Sequence, residues 1–487
     1  MTTTTRQSEP KAPAGATGLI VMLLSATFVM TLNETLMSVA LPTLMKDLGL
    51  SATTGQWLTT GYLLVMAILI PTTGFLFKRF PLRSIFVAAM GAFILGTLAG
   101  ALASGFPLLL VGRILQAGGT AVMLPLGLTA VMNLVPAERR GRIMGSASIV
   151  IAAAPAIGPT VSGLILQTLS WRWLFWLVLP FAVLCTVVGT ARMRNFTSPS
   201  KVKIDLLSVV LSALSFGGLV YGLSSIGESH GGALISPWLA LGIGLAALAV
   251  FILRQRALQR GDRALLDLRP LGSSAFVVPF VTIAAVMMAL FGTIIVLPLY
   301  LQNVLHLGTL TVGMATLPGG LVMAAMGPLV GRLFDRYGPR PLVIPGALLV
   351  SATFWIMTAT FDEHTSFGYI VFVQTLLMAG VGVMLTPMMT TALGSVRRDL
   401  YSHGSAIVST VQQLASAAGS ALFVTVMTQQ SSPSAGQESA MADGVHSAFL
   451  CGGFISLVAV VLALFIRRPV APSQDEAADA EPLVPLH

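Results

Sequence analysis

The chain alternates between long apolar stretches and short polar ones. In windows of about nineteen residues this pattern predicts fourteen helices that cross about 30 Å of hydrocarbon. The runs are continuous, which favours helices over the alternating strands of a membrane barrel. The predicted spans are 17–41, 54–77, 84–104, 107–132, 143–167, 172–191, 205–225, 237–253, 275–301, 310–331, 341–360, 367–393, 404–428 and 447–466.

Composition agrees with a multi-pass membrane protein. Of 487 residues, 9% are charged and 55% are hydrophobic, which is too few charges to cover a water-soluble protein of this size. The apolar run from Thr17 is too long for a cleavable signal, so we expect it to be retained as the first span. Cys185 and Cys451 both lie in apolar runs, so no disulfide framework is predicted.

The basic residues predict an orientation. If the N-terminus is cytoplasmic, all 27 Lys and Arg fall in cytoplasmic segments except Lys46, Arg113 and Arg172. The six tryptophans fall in the outer half of the same map. The positive-inside rule then predicts a cytoplasmic (inner) membrane protein with both termini in the cytoplasm. The net charge of +9 is therefore read as a topological signal, and no nucleic-acid partner is expected.

The chain also repeats itself at a spacing of about 256 residues. LPTLMKDLGL from Leu41 matches LPLYLQNVLH from Leu297, and GFLFKRFPLR from Gly74 matches GRLFDRYGPR from Gly331. Parallel six-helix repeats place a substrate site between the halves. Coincidence in low-complexity apolar sequence is the alternative. The predicted parts are a tail at 1–16, a six-helix bundle at 17–191, an inserted helix pair with basic flanks at 192–274, a second six-helix bundle at 275–466 and a tail at 467–487.

The repeated turn resembles the loop motif G-x-L-x-D-R-x-G-R-R of the major facilitator superfamily. The second copy matches at Gly331, Leu333, Asp335, Arg336, Gly338 and Arg340. The first copy keeps Gly74, Leu76, Arg79 and Arg83 but has Lys78 in place of Asp and Pro81 in place of Gly. In that family the Asp helps to hold the cytoplasmic side shut. The resemblance implies that Asp335 carries more of this role here.

Further motifs resemble the fourteen-spanner drug:proton antiporter branch of the family. Span 4 resembles R-x-x-Q-G through Arg113, Gln116, Gly118 and Gly119, with Ala117 in the place of the motif's first Gly. Span 5 resembles the antiporter motif through Ala154, Gly158, Pro159 and Gly163, although ordinary packing of small residues is the alternative. Span 1 (LNETLMSVALP) and WRWLF from Trp171 resemble the lincomycin-resistance subgroup, with Asn33 where the branch has Asp. The implied fold is all-α, with two parallel six-helix bundles plus two inserted helices.

Two charges stand out because they lie well inside predicted spans. Glu34 is the only such acid and Arg113 the only such base, and both lie roughly 10 Å below the outer surface. Buried charges in membranes usually face a cavity or a partner. We therefore predict that Glu34 is the proton-coupling site and that Arg113 tunes its affinity for protons. A static ion pair between spans 1 and 4 is the alternative.

Other polar and sulfur-containing side chains in the spans are candidates for the substrate cavity. The polar candidates are Asn33, Gln116, Gln374, Gln412 and Gln413. Amides inside a bundle can equally bridge helices by hydrogen bonds. Five methionines are expected either to form an adaptable apolar wall of the cavity or simply to pack in the core: Met287, Met288, Met384, Met388 and Met389.

The sequence lacks the motifs that are typical of several kinds of chemical site. There is no P-loop, C-x-x-C or H-E-x-x-H pattern, so we expect no ATP site, metal or cofactor, and no enzyme activity. All six histidines are expected in loops or the tail.

The expected function is proton-coupled export of hydrophobic or amphipathic drugs, for which a cationic substrate could compete with the proton. The expected partners are the substrate, protons and the lipid bilayer, with a monomeric chain. A same-fold transporter for one lipid or metabolite stays open as an alternative. A non-transporting receptor and a lipid enzyme are more remote.

Overall fold

The computed structural model describes residues 16–50, 52–136, 139–193, 205–226, 235–261, 263–429 and 437–466. Within these ranges the ordered elements are helices, because long apolar segments satisfy their backbone polar groups internally. The α-helices are α1 Ala16–Leu48, α2 Ala52–Leu69, α3 Thr73–Arg79, α4 Leu82–Ala101, α5 Phe106–Leu134, α6 Arg140–Thr168, α7 Arg172–Arg192, α8 Leu206–Ile226, α9 Pro237–Gln259, α10 Ser274–Asn303, α11 Thr309–Tyr337, α12 Arg340–Thr360, α13 Phe367–Gly394, α14 Tyr401–Gln429 and α15 Gln437–Leu464.

Helices α2 and α3 form one interrupted rod, joined by a 3-10 turn at Ile70–Thr72 that contains Pro71. Thirteen helices in the described ranges are long and apolar enough to cross a membrane. Helix α6 has 29 residues and packs between α1 and α11. The chain is a multi-pass membrane protein.

The two halves pack in the same way. In the first half α1 contacts α5, α6 and α7, while α4 contacts α5 and α7. In the second half α10 contacts α13, α14 and α15, while α12 contacts α13 and α15. Helices at equivalent positions in each half therefore make equivalent contacts. The predicted fold of two parallel six-helix bundles is confirmed.

Helices α8 and α9 form the inserted pair. They pack on each other, and α8 also contacts α2 of the first half and α14 of the second. Trp57 on α2 stacks on Tyr221 of α8, with ring centroids 6.1 Å apart. The inserted pair thus lies across the junction of the two halves.

One end of the bundle carries most of the described basic side chains. It is formed by the turns that join α3 to α4, α5 to α6, α9 to α10, α11 to α12 and α13 to α14, and we call it the basic end. Here α14 contacts α3 and α5, and α13 contacts α6. The hydroxyls of Thr129 on α5 and Ser405 on α14 lie 2.8 Å apart across the two halves. The halves are therefore closed against each other at the basic end.

The prediction for His403 was wrong. Helix α14 begins at Tyr401, three residues before the predicted span at 404–428, so His403 lies in its first turn rather than in a loop. Its side chain is only 1% exposed. Hydropathy alone missed this turn because its polar side chains face other helices and not lipid. His446, also expected in a loop, lies within α15.

Candidate transport site and gate

Arg113 is buried in the first bundle, where its side chain is 2% exposed. Its Nη1 donates hydrogen bonds to Asn33 Oδ1 at 3.2 Å and to Gln116 Oε1 at 3.0 Å. Its Nε donates to the carbonyl oxygen of Leu58 at 3.3 Å. The guanidinium also lies 4.1 Å from the ring centroid of Tyr62, a cation–π distance. Spans 1, 2 and 4 thus meet around a single cation.

The sequence did not predict Leu58 and Tyr62 as partners of Arg113. A third unpredicted residue, Thr97 on α4, accepts a hydrogen bond from Gln116 Nε2 at 3.0 Å. Tyr62 and Thr97 are polar side chains within apolar spans, which was the available signal. A buried cation needs several partners, and here the carbonyl oxygen of Leu58 and the ring of Tyr62 are two of them, whereas Thr97 bonds Gln116.

Small residues on α4 and α5 make this network possible. A Cβ on Gly112 would lie 2.7 Å from the carbonyl oxygen of Gly96, and one on Gly119 would lie 2.4 Å from that of Ala89. The backbones are therefore too close for a side chain at Gly112 or at Gly119. A Cβ on Gly118 would make only an ordinary contact. The motif glycine at 119 sets the distance between helices, and Gly118 does not.

Glu34 follows Asn33 on α1 and is partly exposed. It interacts electrostatically with Arg113 and Tyr62, so these three side chains lie near one another. The ion pairs within the described ranges do not include one between Glu34 and Arg113. Asn33 and Gln116 provide the amide oxygens that bond the guanidinium instead. Glu34 therefore lies near the Arg113 guanidinium without forming a direct ion pair with it.

The antiporter-motif face of α6 lies against the turn of α1 that follows Glu34. Thr35 Oγ1 donates to the carbonyl oxygen of Ala154 at 3.3 Å, and Ser162 Oγ donates to that of Leu36 at 3.0 Å. A Cβ on Gly158 would lie 2.2 Å from Thr35 Oγ1. Close packing here places the motif helix directly behind the carboxylate-bearing turn.

Pro159 and Gly163 complete the motif on α6. Pro159 is partly buried and lies inside the helix, where it removes a backbone donor. A Cβ on Gly163 would meet nothing within 4 Å. Of the two motif glycines, only Gly158 is required by close packing.

Gly158→Ala is therefore expected to impair transport, whereas Gly163→Ala is expected to be near neutral. The new methyl group at 158 would push α1 away from α6. Such overpacking costs about 1–3 kcal/mol, which is on the order of a tenfold decrease in the population that has α1 and α6 in close contact. Initial rates of substrate transport in vesicles, normalised to protein content, would measure both. Equal effects of the two variants would contradict the role assigned to Gly158.

The predicted cavity amides of the second half lie apart from the Arg113 network. Gln374 on α13 is 1% exposed and its Oε1 has no hydrogen-bond partner within the described ranges. The same holds for the buried Oε1 of Gln412 on α14, whereas Gln413 is partly buried. Asn33 Nδ2 is a buried donor that has no hydrogen-bond partner among the residues the structure describes. A role for these amides in binding substrate stays a prediction.

The predicted methionine wall is largely buried within the second bundle. Most of these side chains pack in its apolar core, as the packing interpretation expects: Met287, Met384, Met388 and Met389 are at most 3% exposed. Met288 is partly buried.

The second-half loop motif closes the basic end. Both carboxylate oxygens of Asp335 accept hydrogen bonds from the start of α6, from Gly141 N at 2.9 Å and Arg142 N at 3.0 Å. A carboxylate at a helix N-terminus satisfies free N–H groups and interacts favourably with the helix dipole. Gly331 lies against Gly141, since a Cβ on either would clash with the backbone oxygen of the other. Asp335 thus joins the two halves.

The turn after α11 explains the motif's second glycine. Gly338 has φ +82°, a left-handed conformation that glycine adopts without steric cost. In the first-half copy α3 ends at Arg79, and Phe80 leaves the helix in an extended conformation with φ −120° and ψ 152°. Pro81 favours that extended residue before it, so no glycine is needed.

The other basic residues of the two motifs lie around these helix ends. Arg79 and Arg336 each stack on the aromatic ring that follows in sequence, at 5.6 and 5.2 Å. Arg340 Nε donates to the carbonyl oxygen of Ile466 at 2.6 Å, and Arg83 is exposed in the first turn of α4. Arg79, Arg336 and Arg340 thus contact groups within their own half.

In the first-half copy, α3 lies against α14. A Cβ on Gly74 would lie 2.6 Å from His403 Nδ1 and 3.2 Å from its Cα. Lys78, one turn further along, interacts electrostatically with His403. The position that carries Asp335 in the second half therefore carries a cation here, close to the start of α14.

The contacts that close the two halves against each other at the basic end form a gate. Two matched bundles, a buried charge cluster and this gate define a multi-pass membrane transporter fold. The profile described as Major Facilitator Superfamily matches residues 23–420 and, again, 280–486. The chain belongs to the major facilitator superfamily.

Curated relatives cover nearly the whole chain. The uncharacterized MFS-type transporter YcnB of Bacillus subtilis is 38% identical over 96% of this chain and 98% of its own length. The lincomycin resistance protein LmrB of the same organism is 38% identical over 92% of this chain and 95% of its own length. The human organic anion transporter MFSD10 shares the fold, with a TM-score of 0.66 and 14% identity over 93% of this chain and 100% of its own. Relatives named as a transporter and as a resistance protein therefore match nearly the whole length of the chain.

Proposed function

We propose that this protein is a proton-coupled antiporter that exports hydrophobic or amphipathic drugs, cations among them, across the cytoplasmic membrane. The observation that carries the proposal is the position of Glu34. It is a partly exposed carboxylate within the bundle, near Arg113, on the turn of α1 that the antiporter-motif helix contacts. The name of the lincomycin-resistance relative supports a drug as the substrate.

The hydrogen bonds of Arg113 suit a carboxylate that must gain and lose a proton. Asn33 and Gln116 bond the guanidinium, so the cation biases Glu34 through space without holding it in a direct ion pair. A direct pair would favour the charged carboxylate strongly and oppose its protonation. Asn33 therefore acts in this proposal as a spacer between the two charges.

The basic end is assigned to the cytoplasm by the positive-inside rule. With that end closed, Glu34 would exchange protons with the outer side. Rocking of the halves would then expose it to the cytoplasm, where the proton leaves and substrate binds. Protons would thus move inward while substrate moves outward, in a chain that works as a monomer.

Purified protein in liposomes provides the test. An imposed pH gradient is expected to drive uptake of lincomycin or a cationic dye into vesicles, with protons moving in the opposite direction. A panel of chemically unrelated drugs distinguishes broad export from a transporter dedicated to one lipid or metabolite, which would transport none of the panel. Transport that ignores the pH gradient would contradict proton coupling.

A further inference from the structure

The segment that joins the inserted pair to the second half is docked against the bundle. Leu265, Leu266 and Asp267 are at most 3% exposed, although they lie between helices. Gln255 on α9 is fully buried and its Oε1 accepts hydrogen bonds from the backbone N–H groups of Leu265 and Leu266, at 2.8 and 3.2 Å. Gln255 Nε2 donates to Ser208 Oγ on α8 at 2.7 Å. The inserted pair therefore fixes this segment in place.

Asp267 is the centre of the docked segment. Its carboxylate accepts hydrogen bonds from Arg269 N at 3.0 Å, Arg269 Nε at 2.8 Å and Gln259 Nε2 at 3.1 Å. Burial by itself raises the pKa of Asp267, but the hydrogen bonds and the positive charge of Arg269 outweigh it and lower the pKa below its ordinary value. The carboxylate is therefore charged at neutral pH.

From this turn the segment reaches α14. The backbone N–H of Asp267 donates to His403 Nδ1 at 3.3 Å, so that nitrogen carries no proton and the ring is held as an acceptor. Asp267, Arg269 and Lys78 all interact electrostatically with His403. The inserted pair, the first half and the second half thus meet at the first turn of α14.

The two halves differ in the residue that provides a carboxylate at their junctions. At the α11–α6 junction, Gly331 touches α6 and Asp335, four residues later, supplies the carboxylate at the start of that helix. At the equivalent α3–α14 junction, Gly74 touches α14, but the residue four positions later is Lys78. Here Asp267 of the docked segment reaches α14 through its backbone N–H, and its carboxylate interacts electrostatically with His403 while it bonds Arg269 and Gln259.

We propose that Asp267 replaces the acid missing at Lys78, so that the inserted helix pair holds the α3–α14 side of the gate closed. The proposal rests on the alternating access of the proposed function. It assigns the inserted pair a role in that cycle: opening the basic end requires the docked segment to release His403 or to move with α14.

The test measures gate closure by cross-linking in purified protein without substrate. Thr129→Cys and Ser405→Cys place two thiols across the gate at the site of a 2.8 Å contact, in a background with Cys185→Ala and Cys451→Ala. The Asp267→Asn variant is expected to slow disulfide formation between them by about tenfold, because it removes charged hydrogen bonds that hold the segment. Arg269→Gln removes the partner and is expected to act in the same direction.

Asp399→Asn is the matched control. Asp399 also lies at the basic end and also pairs with an arginine two residues away, at 3.1 Å from Arg397 Nη2, but the carboxylate is 57% exposed. It is expected to leave the cross-linking rate unchanged. Adding Lys78→Asp to Asp267→Asn is expected to restore most of the rate by returning the acid to the motif position.

Unchanged cross-linking in both Asp267→Asn and Arg269→Gln would overturn the proposal, as would a failure of Lys78→Asp to rescue. The two single substitutions are read separately, so misfolding of one leaves the other as a test. Because no transport is measured, failure of drug export would leave this result standing and would count only against the proposed function.

Discussion

Glu34→Gln is expected to abolish drug transport driven by a pH gradient while leaving exchange of labelled for unlabelled drug across the same vesicles. The amide has nearly the same shape as the carboxylate but cannot take up and release a proton. Binding and the rocking of the halves do not require that proton, so exchange between equal drug concentrations should continue. Flux with and without an imposed gradient, in the same preparation, measures both.

The control for this prediction is Asp362→Asn. Asp362 lies in the turn between α12 and α13, where its carboxylate accepts a hydrogen bond from His364 N at 2.8 Å and is exposed. The same chemical change there should leave gradient-driven transport intact. If Glu34→Gln lost exchange and gradient-driven transport together, the side chain would be a structural contact rather than a coupling site. If it kept both, Glu34 would have no part in coupling.

Charge scarcity made this site predictable from sequence. A spanning helix tolerates few ionisable groups, so Glu34 and Arg113 stood out without any knowledge of packing. The pairing partner could not be predicted in the same way. Neighbouring residues on a helix point about 100° apart, and only the packed structure decides that Asn33 and not Glu34 turns its polar atoms toward the guanidinium.

The repeat likewise predicted the two bundles, whereas the contacts that form the gate could be identified only from the packed structure. The match between Gly74 and Gly331 is visible in the sequence, and so is the exchange of Asp for Lys78. The contact of Asp267 with His403 joins residues 136 positions apart through a segment with no motif of its own. Hydropathy placed both residues in loops because it depends on side-chain type alone. It therefore does not distinguish exposed polar groups from polar groups that are buried against one another.

Arg113→Leu is expected to destabilise the first bundle strongly. It would leave the buried oxygens of Asn33, Gln116 and Leu58 without this donor. An unsatisfied buried polar group costs about 1–3 kcal/mol, so we expect a loss on the order of 3 kcal/mol even after local rearrangement. Thermal unfolding in detergent would measure it.

Arg172→Leu is the control for that measurement. Arg172 also donates to a carbonyl, that of Ala103 at 2.8 Å, and also stacks on an aromatic ring, but it lies at a helix end and is only partly buried. Water can replace its hydrogen bond, so the expected loss is about 1 kcal/mol or less. Equal losses for the two arginines would contradict the buried network around Arg113.

A double-mutant cycle then separates the two candidate partners of Arg113. If the guanidinium bonds Asn33 and only biases Glu34 through space, the coupling energy of Arg113→Leu with Asn33→Leu must exceed its coupling with Glu34→Gln. A direct ion pair between Glu34 and Arg113 would reverse that order. The reversed order would also undermine the spacer role of Asn33, because a carboxylate bonded to an arginine is poorly suited to release and regain a proton in every cycle.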